Sequence, residues 1–123
     1  MSANITRLQK LINVQDAKFH NVTGAVALAS TLAPAVEFEI VEIRIHLSAA
    51  GGAVGDVNFT VTVDSGQAAA YDFVMVTQDM TAVTDYLYQP TNPLIFEAGD
   101  EIDFAYANGS SRTYGMTVVY REV

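Results

Sequence analysis

His20 and His46 are the only imidazoles in the chain, and an imidazole is the commonest general base at neutral pH. His46 falls on the polar side of an alternating stretch, beside Arg44 and Glu42, where a solvated surface histidine is expected. No serine stands in a Gly-x-Ser-x-Gly setting, and no order of nucleophile, base and orienting acid can be read along the chain. There is no cysteine, which excludes a thiol nucleophile, a disulfide or a thiolate metal site. Acids gather at Glu97, Asp100, Glu101 and Asp103. Calcium takes several oxygen ligands, and Asp100 with nearby carbonyls could offer some. The twelve-residue calcium-loop pattern is missing, however. Glu101 and Asp103 share one side of a strand whose other side is apolar, so a solvated edge explains them more simply. As glycosidase carboxylates they would need a defined separation in space, which spacing along a chain does not supply. These residues predict no catalytic centre, no cofactor and no resident metal, and the chain reads as a non-enzyme.

The residues better suited to recognition are aromatic and basic. There are six tyrosines and no tryptophan. Tyr106, Tyr114 and Tyr120 fall among apolar neighbours and are expected in or near the core. Tyr86 and Tyr88 share one side of a short strand that ends at Pro90-Thr91-Asn92-Pro93. Exposed, they would form an aromatic pair for a sugar or another subunit. Packed inward, they would do what aromatics do on half-buried strands. At the start of the chain Ile5, Leu8, Leu11 and Ile12 recur at helical spacing, with Arg7 and Lys10 between them. Ser2 or Asn4 could cap such a turn. So short a helix is marginal alone, so residues 1–20 are expected to order only against the body or a partner, as a helix or as an extended arm. Arg7, Leu8, Lys10, Leu11 and Ile12, with Tyr86 and Tyr88, are the expected partner-binding residues.

Charge supports the same division. The net charge is −8, which repels phosphate backbones and argues against direct nucleic-acid binding. Residues 1–20 hold three bases against Asp16, a balance of +2, and residues 21–123 hold three bases against thirteen acids, a balance of −10. Over so short a window the imbalance is a weak signal; taken at face value, it marks an arm that docks on an acidic neighbour such as another copy of the chain. No apolar run approaches the roughly 20 residues of a membrane span, so no membrane partner is expected. The first residues lack the basic-then-apolar order of a signal peptide, so synthesis and folding in a cytosol are expected.

What must position these residues is a set of short strands. Half of the chain is hydrophobic, enough for one packed domain over residues 21–123 behind an arm over residues 1–20. Apolar residues alternate through Val57–Val63, Glu101–Ala107 and Tyr114–Arg121, the period of a strand with one buried face. Residues 22–33 read as a weak first strand and a loop. The stretch from Val36 to Leu47 changes parity between Ile40 and Val41, so a β-bulge is predicted there to keep Val41, Ile43, Ile45 and Leu47 inward and the acids outward. Residues 71–77 are apolar on both faces after Asp72, and residues 78–84 form a loop with some helical tendency. Turn signals stand at Asp64-Ser65-Gly66, Glu97-Ala98-Gly99-Asp100 and Asn108-Gly109. About eight short strands at intervals near ten residues predict an all-β, antiparallel sandwich or barrel.

The run Pro93-Leu94-Ile95-Phe96-Glu97-Ala98-Gly99-Asp100-Glu101-Ile102-Asp103-Phe104, followed by a loop and an apolar last strand, is similar to the closing strands of jelly-roll domains. The whole layout resembles small virion proteins of tailed bacteriophages, of the capsid decoration (cement) or fibre-associated kind. That resemblance implies a jelly-roll-like β-sandwich in a structural virion protein. It would assemble as a homo-oligomer, a trimer by analogy with decoration proteins, on other virion proteins such as the major capsid protein. The alternative it implies is a carbohydrate- or receptor-binding sandwich of a fibre or tail, with Tyr86 and Tyr88 as its stacking platform.

Overall fold

The computed structural model describes residues 16–123. The expected partner residues Arg7, Leu8, Lys10, Leu11 and Ile12 lie outside them. Nine strands follow in chain order: β1 Lys18–Gly24, β2 Leu28–Leu32, β3 Phe38–Leu47, β4 Asn58–Asp64, β5 Phe73–Asp79, β6 Asp85–Tyr88, β7 Leu94–Phe96, β8 Glu101–Tyr106 and β9 Tyr114–Glu122. One sheet runs β1-β9-β3-β6, with β7 also paired to β3; the other runs β2-β8-β4-β5. The named strand pairings are antiparallel and nested. β1 pairs β9, β2 pairs β8, β3 pairs β6 and β7, and β4 pairs β5. A long hairpin rolled across two sheets in this way is a jelly roll, so the expected antiparallel jelly-roll-like β-sandwich is the fold observed.

The alternation seen in the sequence becomes the inner faces of the two sheets. Phe38, Ile40, Ile43, Ile45, Leu47, Met116 and Val118 come from one sheet, and Leu28, Phe59, Val61, Val63, Ile102, Phe104 and Tyr106 from the other; all are buried. Burying each such aliphatic or aromatic side chain contributes about 1.5–3 kcal/mol. Phe38 stacks on Phe96 with centroids 5.3 Å apart and meets Tyr120 edge-on at 6.5 Å, geometries that aromatic quadrupoles favour.

The parity change in β3 is a bulge. Ile40 pairs with Tyr120 and Glu42 with Val119, leaving Val41 as the extra residue. The location is as expected, but Val41 is not inward: it is exposed, because a bulge leaves its additional residue unpaired. Glu39 also departs from expectation. It lies opposite Arg121, whose Nη2 donates to its Oε2 at 2.9 Å, and the carboxylate is buried beneath that contact.

Three other expectations change. Lys18 to His20, placed in the arm from sequence, are the first residues of β1. Residues 22–33 hold parts of two strands, β1 and β2, which belong to different sheets. Residues 78–84 contain no helix: Thr81 bridges Gly51, and Met80 is fully buried between the layers. The connection at residues 49–56 is pinned there, since a Cβ on Gly51 would collide with the Met80 carbonyl oxygen. At the Asn108 turn the backbone takes φ 55°, a left-handed conformation that Asn tolerates. Its buried side chain donates to the Val26 and Arg112 carbonyls and accepts from the Arg112 N–H.

Candidate functional site

The groups that could do acid–base chemistry are spread over the molecule. His20 projects inward from β1 and meets Ser30 of β2, Nε2 to Oγ, at 2.7 Å. The contact links the two sheets at their open side, and the Phe104 ring lies 6.0 Å from the imidazole. Burial lowers the His20 pKa, because the charged form loses solvation between the sheets. A hydroxyl beside an imidazole is half of a nucleophile–base arrangement. No carboxylate hydrogen-bonds His20 among the described residues, and neither residue lines the grooves described below, so the pair acts as a polar staple between layers. His46 is on the outer face as expected. Its Nδ1 lies 2.6 Å from Asp85 Oδ1, and that hydrogen bond holds the Asp85 carboxyl below its ordinary pKa.

The acidic cluster read from sequence divides in two. Glu97 and Asp100 are consumed by a turn: the Asp100 carboxylate accepts from the N–H groups of Glu97 and Gly66, both at 2.9 Å. Glu97 accepts from Gln67 Nε2 at 2.7 Å. Gly99 supplies the positive φ that this turn needs, 95°, and a Cβ on Gly66 would meet its carbonyl oxygen at 2.7 Å. Glu101 and Asp103 instead join Asp64 on the outer face of the second sheet, with one carboxylate oxygen from each within 4.8 Å of the others. Thr31 Oγ1 donates to Asp103 at 2.7 Å. Exposed acids at this spacing are ordinary on a solvated sheet.

Tyr86 and Tyr88 share a face, as expected, but it is the inner one. Both are half-buried against the core, and the Tyr86 ring meets Phe59 edge-on at 6.3 Å. Leu87, between them, is the exposed residue. The outward-facing aromatic platform is therefore absent, because the phase of β6 against β3 turns the tyrosines inward.

Exposed apolar side chains gather on one long side of the sandwich, where the free edge of β5 in one sheet faces β7 of the other; Phe19, Val26, Val54 and Leu87 are exposed elsewhere. Tyr71 is 67% exposed, Phe73 50%, Val74 59% and Ile95 56%. A groove of 740 Å³ opens here, with Tyr71, Phe73, Leu94, Ile95 and Phe96 on its walls and Gln67, Glu97 and Asp100 at its rim. A strand apolar on both faces reads as fully buried; β5 is instead the last strand of its sheet, so half of its apolar residues meet solvent. A second, smaller hollow of 480 Å³ lies over Gly115 on the outer face of the first sheet, beside Arg44, His46, Asp85 and Leu87.

Charge is equally one-sided. From Leu47 to Ser111 the chain holds nine acids and no lysine, arginine or histidine. That span includes all of β4, β5, β6, β7 and β8. The groove rim and the second sheet therefore carry acids and, among the described residues, no base.

No protein-family pattern and no curated protein matches this sequence. Among solved structures, the chain is similar to the nucleoplasmin-like N-terminal domain of Drosophila FKBP39, at 13% identity and TM-score 0.48, covering 88% of this chain and 92% of that one. It is also similar to the Drosophila NLP core, a structure described in terms of pentamer formation and histone binding, at 14% identity and TM-score 0.40, covering 85% and 98%. A third neighbour is the Agl-KA catalytic domain, at 15% identity and TM-score 0.33, covering 89% of this chain and 26% of that one. These neighbours correct the expected role. They are nucleoplasmin-like domains and a catalytic domain, and none ties the chain to a phage capsid, fibre or tail. The decoration-protein reading and its receptor-binding alternative are set aside, and with them the capsid partners. The expected trimer finds no support among these neighbours either.

Proposed function

We propose that this chain is a non-enzymatic assembly module, a jelly-roll subunit that associates with copies of itself along the β5–β7 side of the sandwich. The observation that carries this reading is the group of exposed Tyr71, Phe73 and Ile95 lining one groove. Large exposed apolar side chains gathered in one place mark an interaction surface, and an unpaired edge strand without a lysine or proline is an open template for contact. Here β5 reads Phe-Val-Met-Val-Thr-Gln-Asp, with no such guard. The separation of the two histidines from each other and from the acidic clusters favours association over catalysis, because no nucleophile, base and orienting group converge among the described residues.

Light scattering on the purified chain tests it. The native protein is expected to elute as a defined oligomer, and the double variant F73S/I95S as a folded monomer or with association weakened at least about tenfold, the worth of losing two half-buried apolar contacts. A native chain that stays monomeric at high micromolar concentration would overturn the reading, and so would a variant that assembles like the native protein.

A further inference from the structure

We infer that residues 1–15 of one copy lie in the β5–β7 groove of a neighbouring copy, so that the basic leading segment joins subunits head to tail. The inference rests on the association proposed above and names what fills its groove.

The fit begins with chemistry. The segment Met1–Gln15 holds Ile5, Leu8, Leu11 and Ile12 with Arg7 and Lys10, and no acid. The groove is walled by Phe73, Leu94, Ile95 and Phe96, and its rim carries Glu97 and Asp100. The 65-residue stretch from Leu47 to Ser111 that builds the groove lacks any base. The apolar row of the segment matches the walls and its two cations match the rim, so steering and burial act together.

Placement makes the neighbour the recipient. Lys18, Tyr120, Ile40 and Leu94 form one row across the first sheet, through successive pairings of β1, β9, β3 and β7. The segment therefore joins the body at the same end as the groove but on the opposite side, three strand spacings or about 14 Å away. A path to its own groove over the outer face of that sheet would cross the Lys18–Glu122 and Arg121–Glu39 pairs. That path would place its aliphatic residues over ions. A second copy set side by side brings its groove to the β1 edge, where Phe19 is also exposed. Fifteen residues span at most about 50 Å, ample for such a crossing. Repeated in one direction, from the edge the segment leaves to the edge where the next groove opens, the contact is heterologous and closes into a ring or extends as a filament.

The chain's lack of cysteine allows a crosslinking test without background. Full-length chains carrying L11C are mixed with full-length chains carrying I95C and oxidised gently, with circular dichroism confirming that both fold. A disulfide-linked pair of one chain of each kind is expected. An excess of a synthetic peptide of residues 1–15 should suppress it, and the same peptide with R7E/K10E should need about tenfold more to do so. Absence of the mixed pair overturns the inference, as does a disulfide formed only within a single chain carrying both substitutions. If light scattering shows an oligomer while the mixed pair fails to form, edge association stands and the role of the segment falls. If the full chain is monomeric, both fall.

Discussion

His20 shows how one polar side chain can serve a structural purpose in an apolar setting. Facing Ser30 and the Phe104 ring, the imidazole has its pKa lowered from the ordinary 6.5 by burial. The folded protein thus binds fewer protons here than the unfolded chain does once pH drops below 6.5. Stability from this group is complete above that pH and falls as pH descends toward the folded pKa. Asp79 and Asp85 have pKa values lowered from 3.8, so their contribution is lost at more acid pH, as it falls through their folded values. Thermal melts between about pH 7 and pH 5 should therefore show a declining midpoint in the native protein, and a flatter profile in His20→Gln, whose amide keeps a partner for Ser30 without titrating. Equal slopes would remove His20 as the cause. Sequence placed His46 correctly on an outer face, because alternation in β3 reports facing directly. It offered no signal for the His20–Ser30 contact, which joins strands in different sheets.

At the scale of elements, β3 explains why two short strands, β6 and β7, lie along it where a single one could have run. β3 pairs with β7 over Phe38–Ile40 and with β6 over Ile43–His46. The bulge at Val41 falls between these two stretches, so the neighbouring strand is broken where β3 bends. Gln89, in the break, donates to Glu42 Oε1 at 2.9 Å. Val41→Thr should thus change stability by about 0.5 kcal/mol or less, as surface substitutions do, while Ile43→Ala should cost about 2–5 kcal/mol, as core truncations do. Urea titrations of the two variants decide the matter; a large loss at Val41 would show that it belongs to the core after all. The parity change in the sequence located the bulge. Which of the residues around it would be left outside was settled by pairing with Tyr120 and Val119.

At the scale of the whole molecule, charge and apolar surface are distributed so that two copies both repel and attract. The described residues carry four bases, Lys18, Arg44, Arg112 and Arg121, against fourteen acids, a balance of −10. The remaining Arg7 and Lys10 lie in residues 1–15. A chain lacking residues 2–15 should associate weakly through its apolar edge, and more strongly as salt rises from about 50 mM to about 500 mM, because screening relieves like-charge repulsion. In the full chain, screening also weakens the attraction between the basic segment and the acidic rim. Sedimentation equilibrium should therefore give it the smaller rise with salt, and identical salt slopes would argue against that attraction.

The sequence alone determined the all-β class, the phase of each long strand, the main turns and the imbalance of charge, because alternation and turn chemistry are local and are written in consecutive residues. The order of strands decided the rest. Phe73-Val74-Met75-Val76 is apolar on both faces, and only the place of β5 at the end of its sheet shows which of these residues meet solvent; the choice for Tyr86 and Tyr88 between platform and packing is made by the register of β6, which turns them inward. Glu101 reads with Asp100 until Asp64 is found beside it from another strand. Each of these depends on which distant segment lies alongside, and pairing between segments far apart in the chain leaves no mark in either one.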